Sequence, residues 1–255
     1  MIVIGGPNGA GKSTTAPTLL RDALQVAEFV NADAIAGGLS AFRPDSVAIS
    51  AGRVMLERMR HLADAHVDFA FETTLASRSF APWLARLKRD GYHLHVLFLW
   101  LENADLAVNR VAARVRRGGH NVPEGTVRRR YERGCGTFSA YTCRWPTLGR
   151  SSTIRVWGGR GWSRRGAESA WSKSPTNRFG AASRRSIVSD PEGATSANQR
   201  VQDVKIVEEA LAKAVGEALR DHKRAGNPVP EWRDGEMRWL APEEIPDLTV
   251  TSDEA

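Results

Sequence analysis

Long apolar runs are missing from this chain: no stretch reaches the length of a membrane span. The apolar opening Met1–Gly5 is short and has no basic residues before it, which argues against a secretion signal. Cysteine is scarce. Cys135 and Cys143 make neither a zinc spacing nor a disulfide framework, so a reducing cytoplasmic setting is expected. Acid is nearly absent from one region: between Arg144 and Ser186, nine Arg and one Lys face the single acid Glu168. That stretch carries +9 against +7 for the whole chain, so the remainder sums to −2. The basic excess is local, and nucleic acid is not the expected partner. Trp157–Ser186 also lacks every Leu, Ile, Val and Met, and a segment without aliphatic residues cannot build a core.

What is present begins at the first residues. The β-branched run MIVIG is followed by Gly6-Pro7-Asn8-Gly9-Ala10-Gly11-Lys12-Ser13, a full match to G-x-x-x-x-G-K-[ST], and then by helix-compatible sequence with Leu19, Leu20 and Leu24. Strand, glycine loop and helix are the context this motif requires. The glycines let successive backbone N–H groups turn inward around a phosphate, and the following helix adds its positive end. Gly6, Pro7, Asn8, Gly9, Ala10, Gly11, Lys12, Ser13 and Thr14 are therefore the expected nucleotide contacts. Lys12 is expected on the β- and γ-phosphates, and Ser13 on Mg²⁺ through its hydroxyl.

Further along, apolar strands and helices alternate. Glu28–Asn31 reads as a second strand that places Asp33 at the carboxyl edge of the sheet, where open α/β sheets bind ligands. A helix is expected over about 44–65, a strand over Val67–Phe71 ending on Glu72-Thr73-Thr74, and a helix over Ser79–Arg89. His93–Leu101 is apolar enough to be a strand buried on both faces. Two arginine-bearing helices follow, Asp105–Arg117 and Glu124–Arg133, joined by a Gly118–Pro123 loop. This is the arrangement of a lid whose guanidinium groups close over phosphate oxygens, or of a charged surface hairpin. The alternation predicts an α/β fold: a P-loop kinase-like parallel sheet flanked by helices, with a helical lid. A helix over about 203–223 and a hairpin around Asp234-Gly235 are expected near the end, then an acidic tail at 247–255.

Five segments taken together resemble the zeta toxin family of P-loop kinases. They are GGPNGAGKST (Gly5–Thr14), NADAIA (Asn31–Ala36), FAFETTLASRS (Phe69–Ser79), GYHLHVLFLWL (Gly91–Leu101) and RVAARVRRGGHNVPEGTVRRRYERG (Arg110–Gly134). The resemblance covers residues 1–134 and, weakly, 201–246. It implies a kinase that uses ATP or GTP with Mg²⁺ to phosphorylate the sugar 3′-hydroxyl of UDP-N-acetylglucosamine. It also implies a small helical antitoxin as partner. In that frame Asp33 is the base facing the hydroxyl, and Asn31 lies with it at the substrate. Glu72, Thr73 and Thr74 are substrate contacts, with Glu72 also at the metal. Lys12, Arg114, Arg117 and Arg130 act on the transferring phosphoryl group.

The residues alone leave other roles open. Asp33 can be a helix N-cap and Glu72 a capping residue. A kinase of another small alcohol, a P-loop ATPase with LFLWLE (Leu97–Glu102) as its acidic strand, and an inactive nucleotide-binding remnant all share the loop. After Gly134 the family pattern is lost: the family continues with an aliphatic helix and a strand, where this chain has CGTFSAYTCRWPTLGRSS. An irregular segment is expected over about 135–200, and the composition switch reads as translation out of frame over Cys135–Ser186, with STIRVW (Ser152–Trp157) available as a substitute strand.

Overall fold

The computed structural model describes residues 1–77, 80–144, 152–158, 197–233 and 236–246. Five short strands form its centre: β1 (Ile2–Gly5), β2 (Glu28–Val30), β3 (Phe69–Thr73), β4 (Leu94–Trp100) and β5 (Ser152–Gly158). They pair in the order β2-β3-β1-β4-β5, and every pairing is parallel. Parallel neighbours need crossover connections, and those supply the helices that cover both faces. The expected kinase-like α/β fold is the one observed.

The helices are α1 (Lys12–Ala16), α2 (Ala32–Leu39), α3 (Ala48–Asp64), α4 (Phe80–Arg89), α5 (Ala104–Arg116), α6 (Glu124–Arg144), α7 (Ala197–Gln202) and α8 (Val204–Arg224). A π-wound segment, Pro17–Ala23, extends α1; Leu24 N–H reaches back five residues to the Leu19 carbonyl at 2.9 Å. The antiparallel hairpin β6 (Val229–Arg233) and β7 (Glu236–Leu240) follows α8. Among the described residues, no helix is long and apolar enough to cross a membrane.

Alternation along the strands divides the core. Val3, Phe69, Phe71 and Phe98 face α3, α4 and α6 through Met59, Leu84 and Phe138. Ile2, Ile4 and Leu97 face the other way, onto Leu19 and Leu20 and onto Val207 and Leu211 of α8. A smaller cluster of Leu101, Leu106, Val111 and Val127 joins α5 to α6. The C-terminal helix α8 thus packs beneath the helix that follows the glycine loop.

The structure differs from the sequence expectation most at the end of β3 and after Gly134. Strand β3 runs two residues further than Phe71, because Glu72 and Thr73 pair with Ile4 and Gly5 of β1. Helix α6 continues past Gly134 to Arg144, where the irregular segment was expected to begin. The physical reason is core contact: Phe138 is buried and stacks on Phe98 with ring centroids 4.2 Å apart. Ser152–Gly158 is a strand, β5, along the outer edge of β4. The remainder of the region read as out of frame (145–151 and 159–186), the following residues to 196 and the acidic tail 247–255 lie outside the described residues.

Helix α6 approaches the end of β3 very closely. A methyl group at Gly134 would stand 2.4 Å from the Thr74 carbonyl oxygen, a backbone atom that cannot swing aside. Gly134→Ala is expected to cost about 1–3 kcal/mol of stability, as overpacking does. Urea unfolding should show a lower midpoint with an unchanged slope.

Candidate functional site

Strand β1 ends at Gly5 and the loop turns at once. Gly6 has φ +144, and a methyl group there would lie 2.3 Å from the Leu99 carbonyl oxygen of β4. The loop closes through Ala10 N–H on the Pro7 carbonyl at 3.2 Å, and α1 starts at Lys12 after Gly11 in the left-handed region. Lys12 and Ser13 are therefore the first two residues of a helix, where backbone N–H groups lack intrahelical partners. Helix α5 lies against the loop: a methyl group at Gly9 would come within 3.0 Å of both the Ala107 carbonyl oxygen and Arg110 Cβ.

Lys12 is 6% exposed, and its ammonium folds back over the loop to the Pro7 carbonyl at 2.9 Å. Its second partner is Glu72, with Oε1 at 3.6 Å. Burial pulls the Lys12 pKa below its ordinary value; Glu72 and then Asp33 oppose that, and the nearby charge of Arg114 adds to it. Glu72, Asp33 and Arg114 thus all stand near enough to act on the Lys12 ammonium.

Glu72 is the junction of the site. Its Oε2 accepts from the Ser13 hydroxyl at 2.7 Å and from Asn31 Nδ2 at 2.7 Å. The carboxylate next to the loop hydroxyl comes from β3, not from the Leu97–Glu102 stretch on which an ATPase reading would rely. Asn31 in turn caps α2: its Oδ1 accepts from the N–H groups of Asp33 at 2.8 Å and Ala34 at 3.1 Å. The cap is therefore Asn31, and neither Asp33 nor Glu72 is a capping residue. Capping leaves the exposed Asp33 carboxylate free on the first turn of α2. Thr73 is committed to the turn below, its hydroxyl accepting from Leu75 N–H at 3.0 Å, while the Thr74 carbonyl abuts Gly134.

The lid arginines divide. Arg114 reaches the site and also donates to the His120 carbonyl at 2.7 Å, which fixes the Gly118–Asn121 loop. Arg117 turns the other way, donating through Nε to the Ala113 carbonyl at 3.3 Å and meeting His222 Nε2 of α8 at 2.6 Å. Arg130 is half-buried on α6, and among the described residues no hydrogen bond or ion pair holds it. Arg128 braces the two lid helices, pairing with Asp105 at 2.7 Å and Glu124 at 2.8 Å. Arg110 was not singled out from the sequence. It stands against the loop on α5, half-buried, with no acid partner among the described residues, and desolvation lowers its pKa. One signal was available: Arg110 precedes Arg114 by four residues, so the two share a helix face.

The donor set fits a nucleoside triphosphate with Mg²⁺. Lys12 and the first-turn amides suit phosphate oxygens, while the Ser13 hydroxyl beside the Glu72 carboxylate offers the hard oxygens that Mg²⁺ takes. Among the described residues there is no group of three or more His, Cys, Asp or Glu. Glu72→Gln is expected to raise the Mg²⁺ concentration needed for nucleotide binding about tenfold or more, read by titrating Mg²⁺ at fixed nucleotide.

Fold and loop together define a P-loop nucleotide-binding domain of kinase-like build. The chain belongs to the AAA domain family, which it matches over residues 1–133. A Haemophilus influenzae protein described only as uncharacterized is 30% identical over 126 residues, covering 49% of this chain and 88% of the relative. Among solved structures, a candidate kinase from Chloroflexus aurantiacus aligns at a TM-score of 0.44 and 12% identity, over 68% of this chain and 93% of that one. A protein of the PezAT chromosomal toxin–antitoxin system of Streptococcus pneumoniae aligns at a TM-score of 0.47 and 16% identity, over 86% of each chain.

Proposed function

We propose that this protein is a kinase that transfers the γ-phosphoryl group of a nucleoside triphosphate to an alcohol. The observation that carries the reading is the meeting of Lys12, Ser13 and Glu72 at one loop, with Asp33 acting on Lys12 from the start of α2. Phosphoryl transfer asks for positioning and charge neutralisation more than for covalent chemistry. Lys12 and Arg114 supply cations for the phosphoryl oxygens. Asp33 is the base that takes the alcohol's proton as its oxygen attacks. Ser13 and Glu72 would hold the Mg²⁺, which when bound neutralises charge on the β- and γ-phosphates. Asn31 holds α2 and Glu72 in register, and the second N–H of its amide can reach substrate.

For the acceptor, the segments shared with the zeta toxin family support the sugar 3′-hydroxyl of UDP-N-acetylglucosamine, with Thr73 and Thr74 at the sugar side. The same resemblance supports a small helical antitoxin and action in the cytoplasm. The test is direct: incubate the protein with ATP or GTP, Mg²⁺ and UDP-N-acetylglucosamine, and look for the phosphorylated sugar nucleotide by mass. Product from the wild type that falls about 10²–10⁴-fold in Asp33→Asn, with nucleotide binding retained, is expected. Transfer to other small alcohols but not to this one would keep the kinase and discard the acceptor.

A further inference from the structure

The charged groups around the loop fall on two sides. On the β3 side are Glu72 and Asn31, against Ser13. On the other side runs α8, antiparallel to α1 and its extension. The Lys213 charge acts on Asp22, and Glu217 receives the Thr18 hydroxyl at 3.5 Å. One further turn brings His222 level with Thr14, at the opening of the loop.

There His222 meets α5. Arg110 and Arg117 are seven residues apart and share a face of that helix. Arg117 donates to His222 Nε2 at 2.6 Å, so the imidazole accepts there and is neutral. Burial first, and then the charges of Arg117 and Arg110, lower the proton affinity of His222, so Arg110 stands near enough to act on it. The neighbouring acid, Asp221, is paired with Arg224 at 3.6 Å. Arg110 has no acid at all among the described residues. Among the described residues, this wall beside Thr14 carries the cations Arg110 and Arg117, while its nearest acid, Asp221, is already paired with Arg224.

The opposite side is filled by Glu72 and Asn31, so phosphates seated on the loop leave the nucleoside toward Thr14 and this wall. A wall of donors complements a ligand edge of acceptors. Guanine and hypoxanthine present two adjacent acceptors, O6 and N7, to a guanidinium; adenine presents N7 beside an N6 donor that opposes it. We propose that Arg110 and Arg117 read the donor's base, and that the protein prefers guanine and hypoxanthine nucleotides to adenine nucleotides. This rests on the kinase reading above and names the donor for the same site.

Isothermal titration of the full chain with GDP, IDP and ADP in Mg²⁺ tests it. GDP and IDP should bind about tenfold or more tighter than ADP. Arg117→Ala, at an exposed helix end, should bring the three within about twofold of one another; Arg110→Gln, where it folds, should do the same. Equal binding, tighter ADP, weak IDP beside tight GDP, or a preference that survives Arg117→Ala would overturn the base assignment and leave the phosphate loop standing. Binding of none of the three would overturn the kinase reading as well.

Discussion

Lys12→Met is expected to abolish phosphoryl transfer while leaving the protein as stable as the wild type, or more so. The loss follows from position. The ammonium sits over the loop between the Pro7 carbonyl and Glu72, beside the place proposed for the transferring group, and a preorganised cation there would contribute about 10²–10³-fold or more in rate. The stability follows from burial. Desolvation is the largest influence on Lys12 and lowers its pKa in the folded state. Charged Lys12 is therefore less favoured folded than unfolded, so it works against folding. That penalty is fully present below the folded pKa and fades as the pH rises through it. Methionine fills a similar volume without the charge, and Glu72 keeps its bonds from Ser13 and Asn31. Thermal unfolding and transfer rate, measured on one preparation, should move in opposite directions. This is the stability–activity trade-off expected of a group kept for chemistry. A drop in both would mean that Lys12 is structural.

Gly6→Ala should have the largest effect on folding. Its φ of +144 lies in a region that residues with a side chain rarely adopt. The added methyl group would also meet the Leu99 carbonyl oxygen at 2.3 Å, just past the Gly5–Phe98 pair that ends the β1–β4 pairing. Neither atom can move without breaking the sheet that holds the loop. A cost of about 3–5 kcal/mol is expected, at the upper end for a point mutant and a large share of an ordinary domain's about 5–15 kcal/mol. Denaturant midpoints would show it, and nucleotide should restore part of the loss through mass action. A variant as stable as the wild type would place the loop elsewhere.

The fold was legible wherever apolar period and punctuation agree. The glycine octet, the five β-rich runs and the helices between them fall close to where the chain reads them, and parallel order follows from alternation. The site was legible as residue types but not as roles. Asn31 and Asp33 both precede an apolar helix and either can cap it; only backbone geometry shows that Asn31 does, freeing Asp33. Nothing local marks Glu72 as the junction, because its three partners, Lys12, Ser13 and Asn31, come from two other strand–helix turns. Arg117 and Arg114 look alike in sequence. Which of them faces the loop is set by α8, more than one hundred residues away (105 between Arg117 and His222). The continuation of α6 was hidden by composition, since Gly134 and Gly136 weaken a helix and only contact with Thr74 and Phe98 favours it.

The fate of the γ-phosphoryl group separates transfer to an alcohol from hydrolysis. With γ-labelled nucleotide, Mg²⁺ and UDP-N-acetylglucosamine, the label should appear in the sugar nucleotide at a rate that Asp33→Asn and Lys12→Met both suppress. Label released only as inorganic phosphate, at the same rate with or without the sugar nucleotide or any other alcohol, would contradict such transfer.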